Sequence, residues 1–295
     1  MLKSFIKYVT LNVIGMIGFS CYILADTYFV SKGMGANGLT SLNLAIPVYT
    51  FINGISLMIG IGGGAKYVLL SAKGEKDKAN TIFTSSVQAG ILCGLAFLTV
   101  GILLGNKISY ILGADNVTFA MTSLYLKTIM AFAPFIILNN IFLVFVRNDG
   151  NPKLSMLGML FGSFSNIILD YVFIFPLNLG IFGAAFATGL SPVISMIILS
   201  IYLLKRKNQF HLKKEKLNIK EVIKLCGTGA SSFITEISSG IVLIVFNMVI
   251  LKLKGNIGVA AYGIVANLAL VVMAIFTGIA QGVQPLVSKS YGNKE

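Results

Sequence analysis

Asp26, Asp170 and Glu236 lie inside long apolar runs of a 295-residue chain that has only 10 Asp and Glu in all. An ionised carboxylate at the centre of a bilayer costs about 2.5 to 3.5 kcal/mol on insertion scales, so such groups face a wet cavity, an ion path or a partner. Tyr22 precedes Asp26 by four residues and Asn166 precedes Asp170 by four, so each pair shares a helix face and can bond toward one pocket. Two carboxylates with amide and phenol partners in a low dielectric are equipped to take up and release a proton. The oxygens of Asp26, Asn166 and Asp170 equally suit Na⁺, a hard cation that prefers oxygen ligands, and the residues alone leave H⁺ and Na⁺ both open. The purely structural alternative has Asp26 reaching to the membrane surface and Asp170 bonding only Asn166 or nearby backbone.

Glu236 belongs to a separate environment. Ser232, Glu236, Ser239 and Gly240 recur at three- and four-residue spacing, with Asn247 further along the same stripe, making one polar face on an apolar helix. The expectation is a cavity in which Glu236 and Asn247 meet a cationic substrate. The alternative is a hydrogen bond from Glu236 to a partner helix.

The elements that must position these groups are membrane helices. With 56% hydrophobic and 11% charged residues and a mean hydropathy of +0.87, the chain lacks the polar surface of a soluble globule. Eight apolar spans are expected, at 5–30, 39–70, 84–104, 119–146, 154–177, 181–204, 222–251 and 259–288. The first is too long, and too continuous through Asp26, for a cleaved signal peptide. Cys21, Cys93 and Cys226 have no paired spacing, which argues against a disulfide framework or a zinc site, and no cofactor is expected.

The net charge of +13 sits at span ends, which favours the positive-inside rule over nucleic acid as its explanation. Taking the connections alternately, one side holds 18 Lys and Arg and the other 5. The amino terminus is therefore expected in the cytoplasm. Asp26 and Asp170 then lie at similar depth in the outer halves of the first and fifth spans, with Glu236 near the middle of the seventh.

An internal repeat organises the spans. A shift of 220 residues lays Lys32, Gly35 and Gly38 on Lys252, Gly255 and Gly258. A shift of 218 lays Gly60, Ile61, Gly64, Gly74 and Lys76 on Gly278, Ile279, Gly282, Gly292 and Lys294. The expected organisation is an amino-terminal lobe of six spans at 1–204, a basic cytoplasmic linker at 205–221 carrying the single His, and two spans of a parallel second copy at 222–295. A complete second copy would run to about residue 440 by the same period, so four further spans are expected beyond this sequence.

Arg147 to Pro152 reads as a tight turn in which Asp149 bonds its own backbone. Gly residues spaced by three or four allow close helix approach, and Pro47, Pro134, Pro192 and Pro285 interrupt helix bonding within or near spans.

The stretches Asp26-Thr27-Tyr28-Phe29-Val30, Asn166 to Phe173, and Gly183-Ala184-Ala185-Phe186-Ala187-Thr188 resemble the multidrug and toxic compound extrusion (MATE) family. Ala260-Ala261-Tyr262-Gly263, the run Gln281 to Pro285, and Arg147 to Pro152 resemble its MepA-like bacterial branch. The resemblance covers the whole chain and implies an all-α polytopic membrane protein, with a MATE-like six-helix N-lobe and the first two helices of a parallel-repeat C-lobe. It implies an exporter of amphipathic organic cations and drugs, driven by H⁺ or Na⁺ entry across the bacterial cytoplasmic membrane. Carried over, Asp26, Asn166, Asp170 and Thr188 would form the coupling site with Tyr22 adjacent, and Glu236 would line the substrate cavity. Many members have a proline early in the first span, where this chain has Leu11 and Asn12, with Gly15 and Gly18 as its flexible points.

Three other readings compete with this one. A lipid-linked oligosaccharide flippase of the same superfamily would want a basic cavity, and no intramembrane Arg or Lys cluster is visible in the sequence. A membrane-embedded enzyme is disfavoured by a single His and the lack of HExxH and GxSxG motifs. An inactive fragment would follow if the further spans were truly missing.

Overall fold

The computed structural model describes residues 2–293, with side chains excepted at 243–244, 247–248, 251–252, 254–261, 263–264, 266–268 and 270. The backbone forms helices α1 (Leu2–Ala72), α2 (Lys76–Ile111), α3 (Phe119–Ala131), α4 (Ala133–Asn148), α5 (Pro152–Ile174), α6 (Gly180–Leu204) and α7 (Ile219–Asn293). No strand occurs among the described residues. An all-helical bundle satisfies every backbone group within its own segment, as hydrocarbon requires.

Two of these helices are far too long to cross a membrane once. The 71 residues of α1 would extend about 107 Å if straight. Instead α1 folds back at Gly35, whose φ of 64° and ψ of −155° lie outside the range that residues with a Cβ adopt readily. Its arms, 2–34 and 36–72, then run side by side, and the hydroxyls of Tyr22 and Tyr49 meet at 2.9 Å. The 75-residue α7 also doubles back, since the rings of Phe246 and Tyr262 stack with centroids 5.6 Å apart. A straight helix would separate those positions by about 24 Å.

Counting both arms of each, and α3 with α4 as one bent span, the eight expected spans are accounted for. The fourth differs from expectation in being broken by 48° at Phe132. Pro134 supplies the cause, having no N–H to donate and a ring that collides with the carbonyl of residue 130. The third span is longer than its apolar window because polar residues at both ends of α2 extend the helix.

The interior packs Ile52, Ile59, Phe83, Leu126, Ile129, Ile137, Ile141 and Phe145, all at most 2% exposed. Large apolar side chains such as Leu92, Ile102, Leu103, Phe161, Phe164 and Ile168 face outward, the distribution expected when the solvent is lipid. The second arm of α1 crosses α7 at backbone contact. A Cβ on Gly62 would strike the Leu225 carbonyl and the Gly229 amide, and one on Gly229 would strike the Met58 carbonyl. Small residues at such a crossing replace the hydrophobic driving force that lipid does not provide.

The connections at 73–75, 149–151 and 205–218 gather at one end of the bundle, called here the basic end. The segment 205–218 is not a free tether. Phe210 is fully buried among Tyr67, Phe83, Phe145 and Tyr202. The His211 N–H donates to Asn80 Oδ1 at 2.8 Å and the Lys213 N–H to Thr84 Oγ1 at 2.9 Å.

Asp149 anchors the same segment rather than its own turn, correcting the sequence expectation. Its carboxylate accepts from Tyr67 Oη at 2.6 Å, Tyr202 Oη at 2.9 Å and the Gln209 N–H at 2.8 Å. Burial raises the proton affinity of this carboxyl above the ordinary Asp value, against the opposing pull of those three donors. Asn151 is the residue that bonds locally, accepting from the Leu154 N–H at 3.2 Å to cap α5.

Two outcomes follow for stability. Gly229→Ala forces α7 off α1 and is expected to cost roughly 1 to 3 kcal/mol or more, read as a lower thermal midpoint in detergent; an unchanged midpoint would show that the crossing tolerates separation. Phe210→Ala removes a buried ring worth about 3 to 5 kcal/mol to the docked segment. It should speed tryptic cleavage at the Lys and Arg of 205–216, and an unchanged rate would mean that the backbone bonds alone hold the segment.

Candidate functional site

The buried acids come together because small residues let their helices approach. Gly15 and Gly18 in the first arm of α1 lie against Met159 and Leu160 of α5. Gly162 of α5 lies against Ser191 and Ser195 of α6, and Ser191 Oγ donates to the Gly162 carbonyl at 2.8 Å. This brings Asp26 from α1, Asn166 and Asp170 from α5, and Thr188 from α6 into one pocket, each at most 7% exposed.

The carboxyl groups of Asp26 and Asp170 are close enough to influence one another. Two bare carboxylates are acceptors only, so neither can serve as the other's hydrogen-bond partner. Asp26 Oδ1 and Asp170 Oδ1 have no protein partner. With its amide oriented to suit its neighbours, Asn166 donates to Asp170 Oδ2 at 3.0 Å and accepts from the Thr188 N–H at 3.2 Å. Asp26, 7% exposed, is buried within the bundle, and the one bond to the Asp170 side chain comes from Asn166.

Two features of this pocket were not anticipated. The phenol of Tyr125, 5% exposed on α3, stands beside Asp26, Asp170 and Thr188. Pro192, four residues after Thr188 within α6, cannot donate to the Thr188 carbonyl, which frees one more oxygen beside the acids. Nothing in the sequence near Tyr125 marks it, whereas the Thr188–Pro192 spacing was there to be read.

Next to the acid pocket lies a cavity of about 240 Å³. Thr188 lines it and belongs to the acid pocket as well, so the two adjoin. Tyr22 lines the cavity too, but its hydroxyl pairs with Tyr49 and not with an acid, and its ring is met edge-on by Phe19 at 4.9 Å. On the opposite wall, Thr235, Glu236 and Ser239 of α7 face in.

Glu236 lines the cavity and also accepts a bond from another helix. Asn53 Nδ2 donates to Glu236 Oε1 at 2.7 Å, and Asn140 Nδ2 donates to Asn53 Oδ1 at 2.8 Å. The chain of amides thus runs from α4 through α1 to the acid on α7. Asn53 and the adjacent pair Asn139 and Asn140 are polar residues in apolar spans that form no periodic stripe. The side chain of Asn247, expected to share the cavity, lies outside the described side chains.

At the basic end, Arg147 departs from its expected place in a tight turn and belongs to the last turn of α4. It is 1% exposed and lines the cavity from α4. Its Nη1 donates to Asn12 Oδ1 at 2.8 Å and to Gln281 Oε1 at 3.3 Å, while Asn12 Nδ2 donates to the Gly278 carbonyl at 2.9 Å. These bonds tie α1, α4 and α7 together. Asn12, noted in the sequence only for standing where a proline is common, is one of the knots.

Comparison with known proteins places this geometry. The family model MatE matches residues 13–172 and 232–295. The Multidrug export protein MepA of Staphylococcus aureus (strain MRSA252) is 31% identical over 272 residues, covering 92% of this chain and 60% of the relative. MepA of Staphylococcus saprophyticus is 31% identical over 274 residues with the same shares. The chain thus spans about 60% of the length of these relatives.

Among solved structures, an outward-facing multidrug resistance MATE family transporter of the MOP superfamily superposes with a TM-score of 0.88 at 25% identity, over 99% of this chain and 65% of that one. A MOP superfamily transporter from Pyrococcus furiosus, described as having a binding pocket of reverse polarity, superposes with a TM-score of 0.90 at 24% identity over the same shares.

Asn53→Leu strips the Glu236 carboxylate and the Asn140 amide of their shared partner. It is expected to cost about 1 to 3 kcal/mol, the usual penalty for orphaned buried polar groups. Glu236→Gln keeps an acceptor for Asn53 and should cost less. Thermal denaturation of the two variants checks the order, and equal midpoints would remove the amide chain from the account of how these helices are held.

Proposed function

The chain belongs to the MatE family of multidrug efflux transporters, and from that premise we propose that it exports amphipathic organic cations in exchange for H⁺ or Na⁺. The observation that carries the reading is the buried Asp26–Asp170 pair beside a cavity lined by Glu236. By the bias of its Lys and Arg, the basic end faces the cytoplasm of a bacterial cell and the acid pair lies nearer the outside.

The acids act as the ion store. When the pair is empty, two carboxylates on α1 and α5 repel one another in a medium that screens poorly. A proton, or a Na⁺ held by Asp26, Asp170, the Asn166 amide and the oxygens of Thr188, removes the repulsion and lets the helices close. The arm of α1 that responds also carries Tyr22 on the cavity wall and Asn12 at the basic end. Ion occupancy is thereby converted into a change in the cavity and in the contacts that shut it.

The cavity supplies the substrate side. Glu236 attracts a positive charge, and Phe19, Tyr22 and Tyr49 present aromatic faces on which a cationic ring can rest. Each ion entering through a potential of 100 mV releases about 2.3 kcal/mol, which drives the outward step.

Asp170→Asn keeps the size of the side chain and removes its charge. Expressed in an efflux-deficient bacterium, it should reach the membrane in normal amount yet leave ethidium accumulation at the level of the empty vector. The unmodified protein should lower accumulation until a protonophore or a collapsed Na⁺ gradient abolishes the effect, and whichever treatment acts identifies the ion. Unchanged efflux by the variant at normal expression would overturn the assignment of the pair.

A further inference from the structure

Where α1 and α7 part at the basic end, a second cavity opens. The second arm of α1 runs toward that end and α7 starts from it, and the two meet at backbone distance where Gly62 faces the Leu225 carbonyl. Lys66 follows Gly62 by four residues and Glu221 precedes Leu225 by four, so each lies about 6 Å along its helix beyond the crossing, on the side of the basic end. The start of α2 closes the wedge between them. The resulting cavity of about 430 Å³ shares no residue with the one that holds Glu236.

Its walls carry cations from three helices: Lys66 of α1, Lys78 of α2 and Lys224 of α7. Only one carboxylate, Glu221, stands among these three ammonium groups, so the wall is net positive. Lys78 and Lys224 each pair with an acid three residues earlier, Glu75 and Glu221, and their side chains are 72% and 65% exposed. Exposed local pairs of this kind are weak, so either ammonium can turn to a ligand at little cost. Lys66 is half-buried and pairs with no acid among the described residues, although the charges of Glu221 and Lys224 both reach it. Asn218 completes the rim. Its Oδ1 accepts from the Lys220 and Glu221 N–H groups at 3.1 and 3.4 Å, which leaves its NH₂ group as a further donor.

Three ammonium groups drawn from three helices suit a phosphate, because lysine acts on its oxygens as a point charge from any direction. The rest of the lining includes Leu69 and Leu70, at the end of the second span, where hydrocarbon gives way to headgroups. A cavity that is basic and apolar together at this depth matches a lipid phosphate and the first carbons of its acyl chains.

We propose that this cavity is a binding site for a phosphate group, supplied by an anionic phospholipid of the cytoplasmic leaflet, which ties α1, α2 and α7 together at the basic end. The site goes beyond the exporter reading and is independent of what the central cavity carries.

Native mass spectrometry of the purified full chain, titrated separately with dihexanoyl phosphatidylglycerol, dihexanoyl phosphatidylcholine and glycerol 3-phosphate, tests it. The anionic lipid should bind more tightly than the zwitterionic one. Lys66→Gln and Lys224→Gln should each weaken its binding by about fivefold, the effect of one lysine on an anionic headgroup. Lys153→Gln removes the same charge from an exposed position on α5 outside the cavity and should change nothing. Glycerol 3-phosphate bound as tightly as phosphatidylglycerol, with the same loss in the two variants, would keep the phosphate site and overturn its assignment to lipid. Equal binding of the two lipids by the unmodified chain, a comparison that needs no variant to fold, overturns the site. So does a preference that survives Lys66→Gln and Lys224→Gln, or one that Lys153→Gln lowers equally.

Discussion

A carboxyl group can be buried in an apolar bundle only if something positive, or a set of donors, stands beside it, and much of this architecture answers that demand for Asp26 and Asp170. The two acids sit on helices that are distant in sequence. Bringing them together needs α1 close to α5, which Gly15 and Gly18 permit, and α5 close to α6, which Gly162 and the serines opposite it permit. Once there, the pair is partly served by Asn166, which donates to Asp170 Oδ2, and left with two unpartnered oxygens. A purely structural pair would be expected to satisfy those oxygens. In the proposed exporter, leaving them open keeps a place for a removable ion.

The same helix that carries Asp26 also makes most of the other polar connections. Asn12 at the basic end, Tyr22 and Tyr49 on the cavity wall, and Asn53 in the amide chain to Glu236 all belong to α1. Its two arms are joined by a single non-helical residue, Gly35, with no loop to absorb displacement. The first arm therefore cannot shift at Asp26 without moving Tyr22, and the Tyr22–Tyr49 bond passes the shift to the second arm. The close crossing of Gly62 and Gly229 hands it on to α7. Coupling between ion and substrate, in the proposed exporter, needs no element beyond this one folded helix.

What the sequence disclosed and what it hid divide along physical lines. Asp26, Asp170 and Glu236 stood out because a carboxylate in hydrocarbon is costly whatever surrounds it, and the four-residue spacing of Asn166 to Asp170 is a local fact of helix geometry. Asn53, Asn140 and Tyr125 did not stand out. A neutral amide or phenol in a span is cheap enough to occur singly, and what gives each its role is a partner 87 or 183 residues away, as Asn53 has in Asn140 and Glu236. The break in the fourth span was half legible, since Pro134 was seen and the angle was not. The fold-back at Gly35 was expected as a loop, because hydropathy marks where a span ends and is silent on whether the helix does.

Arg147 shows how one residue can be assigned to the wrong account by a sound rule. Counted with the other basic residues at span ends, it was one of 18 on the side expected to face the cytoplasm, and a charge there needs no further explanation. Without it the imbalance is still 17 against 5, so the topology never depended on it. Burial is what separates it from its neighbours in the count. Those at 205–207 are exposed and cost the fold nothing, whereas the Arg147 guanidinium is enclosed and its Nη1 bonds to Asn12 and Gln281 tie α1, α4 and α7 together. A charge retained in so expensive a position is better explained by the helices that its bonds hold together than by which way the chain crosses the membrane.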